Sequence, residues 1–205
     1  MRATLLHNRD GASAAEFAMV LPLLLLFIFG IIDAGRFLWE FNRAEKATQV
    51  GARVAIVTDA IPGGLAAADY IGVSGLTQGD IIPASALGKM TCSRTACSCT
   101  GTCPATGTIN TAAFDEIARR MRQMKPEIAN ANIQIEYRGS GLGYAGDPNG
   151  MDISPIVTVR LVSTPTQTAL KFTPITTKFL GGISFNMPEF AASLTAEDSS
   201  GSQSN

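Results

Sequence analysis

Histidine is all but missing from this chain. The single one, His7, lies within the first ten residues, ahead of a long apolar run. A Ser-His-Asp triad, a Cys-His dyad and a His-ligated metal centre therefore have no imidazole to draw on in any domain after that run. Charge is scarce as well: 16% of residues are charged, against about 25% in ordinary globular proteins. The formal net charge of −1 gives no reason to expect nucleic-acid binding, for which a basic face would be needed. The densest basic cluster, Arg119, Arg120, Arg122 and Lys125, reads as the solvated face of one amphipathic helix.

Two further patterns carry no chemistry. Gly141-x-Gly143-x-x-Gly146 matches a dinucleotide fingerprint in form, but Asp147-Pro148-Asn149-Gly150 follows where a helix has to open. It reads as a hairpin loop. Asp147, Asn149 and Asp152 are weak Ca²⁺ candidates that lack the spacing and final Glu of an EF-hand loop, and turn chemistry accounts for them. The inventory predicts no catalytic residue, no metal and no cofactor, hence a protein that is not an enzyme.

What the chain does have is an apolar run, Phe17 to Ile32, with a carboxylate, Glu16, at its doorstep and Gly11 five residues earlier. Those 16 residues make roughly 24 Å of helix, short of a bilayer core of about 30 Å. Including Ala12 to Ala15 supplies the missing length but draws Glu16 into the apolar register. A charge there costs roughly 2.5–3.5 kcal/mol on insertion scales, so it usually has a partner and a purpose. Pro22 and Gly30 interrupt the run as helix-kink positions, and membrane helices tolerate both. A secretory signal peptide fits poorly. A glutamate separates the basic start from the apolar stretch, and no small-x-small site follows Ile32.

Gly11 followed by Glu16-Phe17 resembles the class III signal of type IV pilins. The longer pattern, Glu16-Phe17-Ala18-Met19-Val20-Leu21-Pro22 through Gly30-Ile31-Ile32-Asp33-Ala34-Gly35-Arg36, is similar to the TadE-like minor pilins (pseudopilins) of Tad/Flp pilus systems, over about residues 9–60. The resemblance implies cleavage by a prepilin peptidase after Gly11, with Ala12 as the new N-terminus and loss of His7 with the leader. It also implies assembly roles for Glu16 and Phe17, with Glu16 pairing with the terminal amine of a neighbouring subunit. A carboxylate and an ammonium in lipid offset each other's desolvation only if they meet. The implied partners are the prepilin peptidase, other major and minor pilins, the assembly platform and the lipid bilayer, with no nucleic acid.

Basic residues flank the run on both sides: Arg2 and Arg9 before it, Arg36, Arg43, Lys46 and Arg53 after it. A plain positive-inside count would leave the large domain in the cytoplasm, but long domains translocate largely regardless of charge. The resemblance implies a single pass through the bacterial inner membrane, leader inside and C-terminal domain outside, in the periplasm or pilus. Beyond the run, Phe37, Leu38, Phe41, Ala44 and Ala47/Thr48 recur at helical spacing, followed by Val50, Val54 and Val57 on a neighbouring stripe. The helix is expected to extend to Ile61-Pro62-Gly63-Gly64.

Four cysteines, Cys92, Cys97, Cys99 and Cys103, sit in a Gly-, Ala-, Ser- and Thr-rich stretch. Without a CxxC knuckle or a flanking histidine they make a poor zinc site, and an even count outside the cytoplasm points to disulfides. Cys97–Cys99 would be strained. That leaves Cys92–Cys97 with Cys99–Cys103, or Cys92–Cys99 with Cys97–Cys103.

The expected fold is α+β and pilin-like: a long N-terminal transmembrane and amphipathic helix, then a small antiparallel sheet with one or two helices. The expected segments are a leader (1–11), a membrane span (12–32), an amphipathic extension (33–60), a Cys-containing loop region (61–110), a globular domain (111–196) and a disordered tail (197–205). Within the globular domain, Asn110 or Thr111 caps a helix over 112–125 with Phe114, Ile117, Met121 and Met124 inward. Strands follow at 133–138, 155–163 and 189–196, while 169–179 packs as a short amphipathic segment. Two functions stand against each other: a pilus assembly protein, and a membrane-tethered extracytoplasmic binding or enzymatic domain unrelated to pili.

Overall fold

The computed structural model describes residues 10–148, 150–163, 170–178 and 181–196, with only the backbone of 10–12. The expected leader as far as Arg9, His7 included, together with Asn149 and the expected tail from Glu197, lies outside the described residues. The architecture is α+β: one long apolar helix, then a small antiparallel sheet with a few helices.

Helix α1 (Asp10–Ala55) is a single 46-residue helix with Pro22 and Gly30 inside it. It contributes to two compact units. Among the described residues, one comprises 10–41 with 171–178 and 181–185, and the other comprises 42–148, 150–163, 170 and 186–196.

In the first unit, Phe17, Met19, Val20, Leu23 to Ile28, Ile31 and Ile32 all stand exposed on α1. This stretch is long and apolar enough to cross a membrane. The unit also holds β5 (Lys171–Phe172) and α4 (Ile175–Lys178), followed by β6 (Phe185–Asn186), which pairs with β5.

In the second unit, α1 buries Ala44, Ala47, Thr48, Ala52, Val54 and Ala55. Gly51 lies on the same stripe and is also buried. The stripe is built from small residues because its neighbours come close. A Cβ on Gly51 would lie 2.8 Å from Met121 Sδ and 3.1 Å from Val159 Cγ1. The valine stripe expected from periodicity is only partly realised: Val54 is buried, Val57 is exposed and Val50 is intermediate. Bulk at 51 and 55 would hold the helix off, so small side chains make up most of the inward face and Val54 is the one valine among them.

After α1 the chain enters α2 (Gly63–Ala66). It returns beside its starting point, where Pro62 bridges Ile109 and Asn110 N–H donates to Ile61 C=O. The excursion 61–110 is thus closed at its base. Within this Gly/Ser/Thr-rich stretch, where composition suggests only loop, lies a hairpin: β1 (Lys89–Cys92) and β2 (Cys97–Thr100). These four-residue strands are too short to show an alternation; β1 pairs with a strand far along the chain (133–138), and β2 pairs with β1.

Helix α3 (Thr111–Met124) is capped by the Asn110 side chain, which accepts from Ala113 N–H. It turns Phe114, Ile117 and Met121 inward. The sheet continues with β3 (Ile133–Arg138), β4 (Ile156–Leu161) and β7 (Phe190–Thr195), in the order β2-β1-β3-β4-β7, antiparallel throughout. Ile133, Ile135 and Tyr137 on β3, with Val157, Val159 and Leu161 on β4, form its buried side. The segment expected to be a short amphipathic piece over 169–179 contains β5 and α4, part of it outside the described residues.

Candidate functional site

The N-terminal part of α1 carries the residues that the sequence singled out. Glu16 and Phe17 are exposed on a helix that is already formed at Asp10 and runs unbroken past Pro22 and Gly30. Pro22 has no N–H to donate, so one carbonyl in the preceding turn loses its helical partner. The backbone of Gly11 and Ala12 lies in the first turns of the helix.

Asp33, immediately after the apolar run, was not picked out by the sequence. Its carboxylate is buried and acts as the N-cap of α4 from a distant part of the chain. Oδ1 accepts from Ile175 N–H at 2.7 Å, and Oδ2 from Thr176 N–H and Thr176 Oγ1, both at 2.9 Å. Arg36 donates to Asp33 Oδ1 at 3.1 Å and lies over the Phe172 ring, while Phe37 meets the same ring edge-on at 5.4 Å between centroids. A carboxylate at the boundary of an apolar run is the only signal the sequence offered. Nothing local to Asp33 announced Thr176 as its partner.

The cysteines sit on the β1–β2 hairpin. Cys92 pairs with Cys97 and Cys99 with Cys103, the first of the two alternatives left open. Cys92 and Cys97 face each other in register at the end of the hairpin. From the turn between them, Arg94 reaches α3 and binds Asp115 through two bonds, of 2.7 and 2.8 Å. That guanidinium holds the Asp115 carboxyl below its usual range.

The glycine-rich loop between β3 and β4 behaves as a loop. Gly141, Gly143 and Gly146 all adopt positive φ, and among the described residues the next element after them is strand β4, not a helix. Asp152 organises it: its carboxylate accepts from the N–H groups of Tyr70, Gly146 and Asp147 at 2.8, 2.9 and 3.0 Å. Backbone donors therefore occupy the oxygens that the weak Ca²⁺ set would have needed. Asn149 lies outside the described residues. Among the described residues no group of three or more His, Cys, Asp or Glu is arranged to hold a metal. Tyr70 is buried with its hydroxyl unpartnered. Burial, with the Asp152 charge nearby, pushes that phenol up.

The basic cluster on α3 requires a correction. Arg119 and Arg120 do form a surface set with Glu116, whose carboxyl they hold below its usual range. Arg122 instead ties the helix to the next turn through Ile128 C=O and Asn130 Oδ1. Lys125 is buried, its ammonium 3.7 Å from Glu127. The 3.6-residue period assigned a face to the helix itself, whereas the chain leaving it folds back over that face.

On the outer side of the sheet, buried Glu136 receives Arg160 Nε at 2.8 Å and Lys89 Nζ at 3.2 Å. These three and Thr91, Gln134, Val162, Ser163 and Glu189 line a shallow cavity of about 410 Å³. Polar residues at alternate strand positions were visible in the sequence; their meeting depends on register.

The family model described as TadE-like protein matches residues 11–53. No curated protein and no solved structure matches the chain. The matched stretch runs from Gly11 to Arg53 and takes in part of the buried small-residue stripe of α1.

Proposed function

We propose that this protein is a minor pilin or pseudopilin that takes part in assembling a Tad/Flp-type pilus used in adhesion, secretion or surface attachment. The observation that carries the reading is a coincidence of positions. The TadE-like match begins at Gly11, and the exposed apolar stretch of α1 opens directly behind Glu16. In this reading a prepilin peptidase removes residues 1–11, Ala12 becomes the N-terminus, and the span over 12–32 anchors the protein in the bacterial inner membrane. Glu16, beside Phe17, then pairs with the terminal amine of a neighbouring pilin, relieving two desolvated charges at once. Two disulfides favour an oxidising compartment for the following domain, which supports a cytoplasmic leader and an extracytoplasmic C-terminal part.

The experiment is the mass of the N-terminal peptide from membrane-purified protein, with and without the host's prepilin peptidase. The expected terminus is Ala12, and it disappears when the peptidase is absent. An intact Met1, or a cut beyond Ile32, would overturn the reading and leave an anchored domain unrelated to pili. Glu16→Leu supplies a second arm: it should abolish pilus formation while leaving the protein in the membrane.

A further inference from the structure

Where α1 leaves its apolar run, a short piece of the C-terminal half of the chain is fastened to it. Asp33 caps Ile175 and Thr176, and Arg36 and Phe37 hold the Phe172 ring. Asp33 to Phe37 fall within roughly 8 Å of Ile32 along the helix, by the rise of 1.5 Å per residue. A headgroup layer is of similar depth, since a bilayer adds roughly 5–8 Å per leaflet to its hydrocarbon core. If the run spans lipid, as the proposed function requires, these contacts hold 172–176 at the headgroup level.

The same unit exposes apolar side chains that its own fold does not cover. Ile183 is 56% exposed and Phe185 53%, and on the helix Leu38 and Trp39 are 59% and 67% exposed. Lys171 and Lys178 stand exposed on the same short segment. Aromatic and aliphatic bodies flanked by lysines match a membrane–water boundary, where rings sit among headgroups and ammoniums meet lipid phosphates. We propose that residues 171–178 and 181–185, clamped by Asp33, form an interfacial collar that rests on an anionic lipid surface, with Ile183 and Phe185 dipping into the acyl boundary. The attachment of this segment at Asp33, the residue directly after the exposed apolar stretch of α1, together with its flanking lysines, selects an anionic lipid surface over a protein partner as the occupant.

Trp39 is the chain's one tryptophan, which makes a depth measurement direct. In a Trp39→Phe background, Phe185→Trp reports the collar, Ile183→Trp repeats it independently, and Phe27→Trp reports the span. The full chain is reconstituted in phosphatidylcholine–phosphatidylglycerol vesicles with nitroxide lipids labelled either near the headgroup or near the chain end, and aqueous iodide is titrated. The collar reporters should be quenched several-fold more by shallow than by deep nitroxide and be shielded from iodide, while Phe27→Trp responds to the deep label. Strong iodide quenching at 183 and 185, with Phe27→Trp still deep, overturns the collar and leaves the anchor standing. Shielding from iodide without lipid quenching means protein covers the patch, and also overturns it. A Phe27→Trp reporter outside lipid removes the spanning reading, and the collar falls with it.

Discussion

One carboxylate oxygen of Asp33 accepts both the backbone N–H and the hydroxyl of Thr176, each at 2.9 Å, across 143 positions of sequence. A side chain on α1 thus supplies the cap that α4, preceded by Pro174, lacks locally. Asp33→Ala should speed amide exchange at Ile175 to Lys178 and leave the amides of β3 and β4 as slow as before. Thr176→Val, which keeps the backbone donor and loses the hydroxyl, should give a smaller effect in the same place. Uniform acceleration across both regions would deny Asp33 this local role.

Gly51 sets how closely α1 approaches its neighbours. A valine there would press on Met121 and Val159, and overpacking of this kind costs about 1–3 kcal/mol. Gly51→Val should lower the thermal midpoint of the detergent-solubilised protein. Adding Met121→Ala should recover part of the loss, because the thioether is the nearest obstacle. Non-additivity of the two changes is the quantity to measure.

The hairpin disulfides close rings of only a few residues. By chain entropy each contributes about 2 kcal/mol, a local and not a global share. Replacing Cys92 and Cys97 together by serine should loosen β1 and β2 in hydrogen exchange while β4 and β7 stay protected. The Cys99–Cys103 bond should still form, which thiol counting checks directly.

Tyr137 is buried, and its hydroxyl accepts the Ile61 N–H at 3.1 Å. Burial raises its phenol above the ordinary range. The sign follows: below about pH 10 both folded and unfolded forms keep the proton, and stability is unaffected. Above that, the unfolded phenol ionises while the buried one does not. Stability should then fall by up to about 1.4 kcal/mol per pH unit for this group. Tyr70 is shifted the same way and adds to the decline. Tyr137→Phe should flatten that alkaline slope. At neutral pH it should cost about 1–3 kcal/mol by leaving a buried N–H unpaired, which denaturant titration at two pH values would separate.

The sequence alone determined whatever repeats over a few residues. The apolar run, the α3 period with its Asn110 cap, and the alternation of Ile133, Ile135 and Tyr137 were all legible. Each is a local signal of spacing and side-chain type. Tertiary structure alone decided the rest. It drew β1 and β2 out of a glycine- and serine-rich stretch into the sheet and selected one cysteine pairing. It also made Gly51 and Ala55, with only Val54 of the three valines, part of the buried face of α1, folded Lys125 inward, and brought Thr176 to Asp33. Those outcomes depend on which distant surfaces meet and how closely. A one-dimensional pattern fixes a residue's own periodicity but carries no record of its partner's distance.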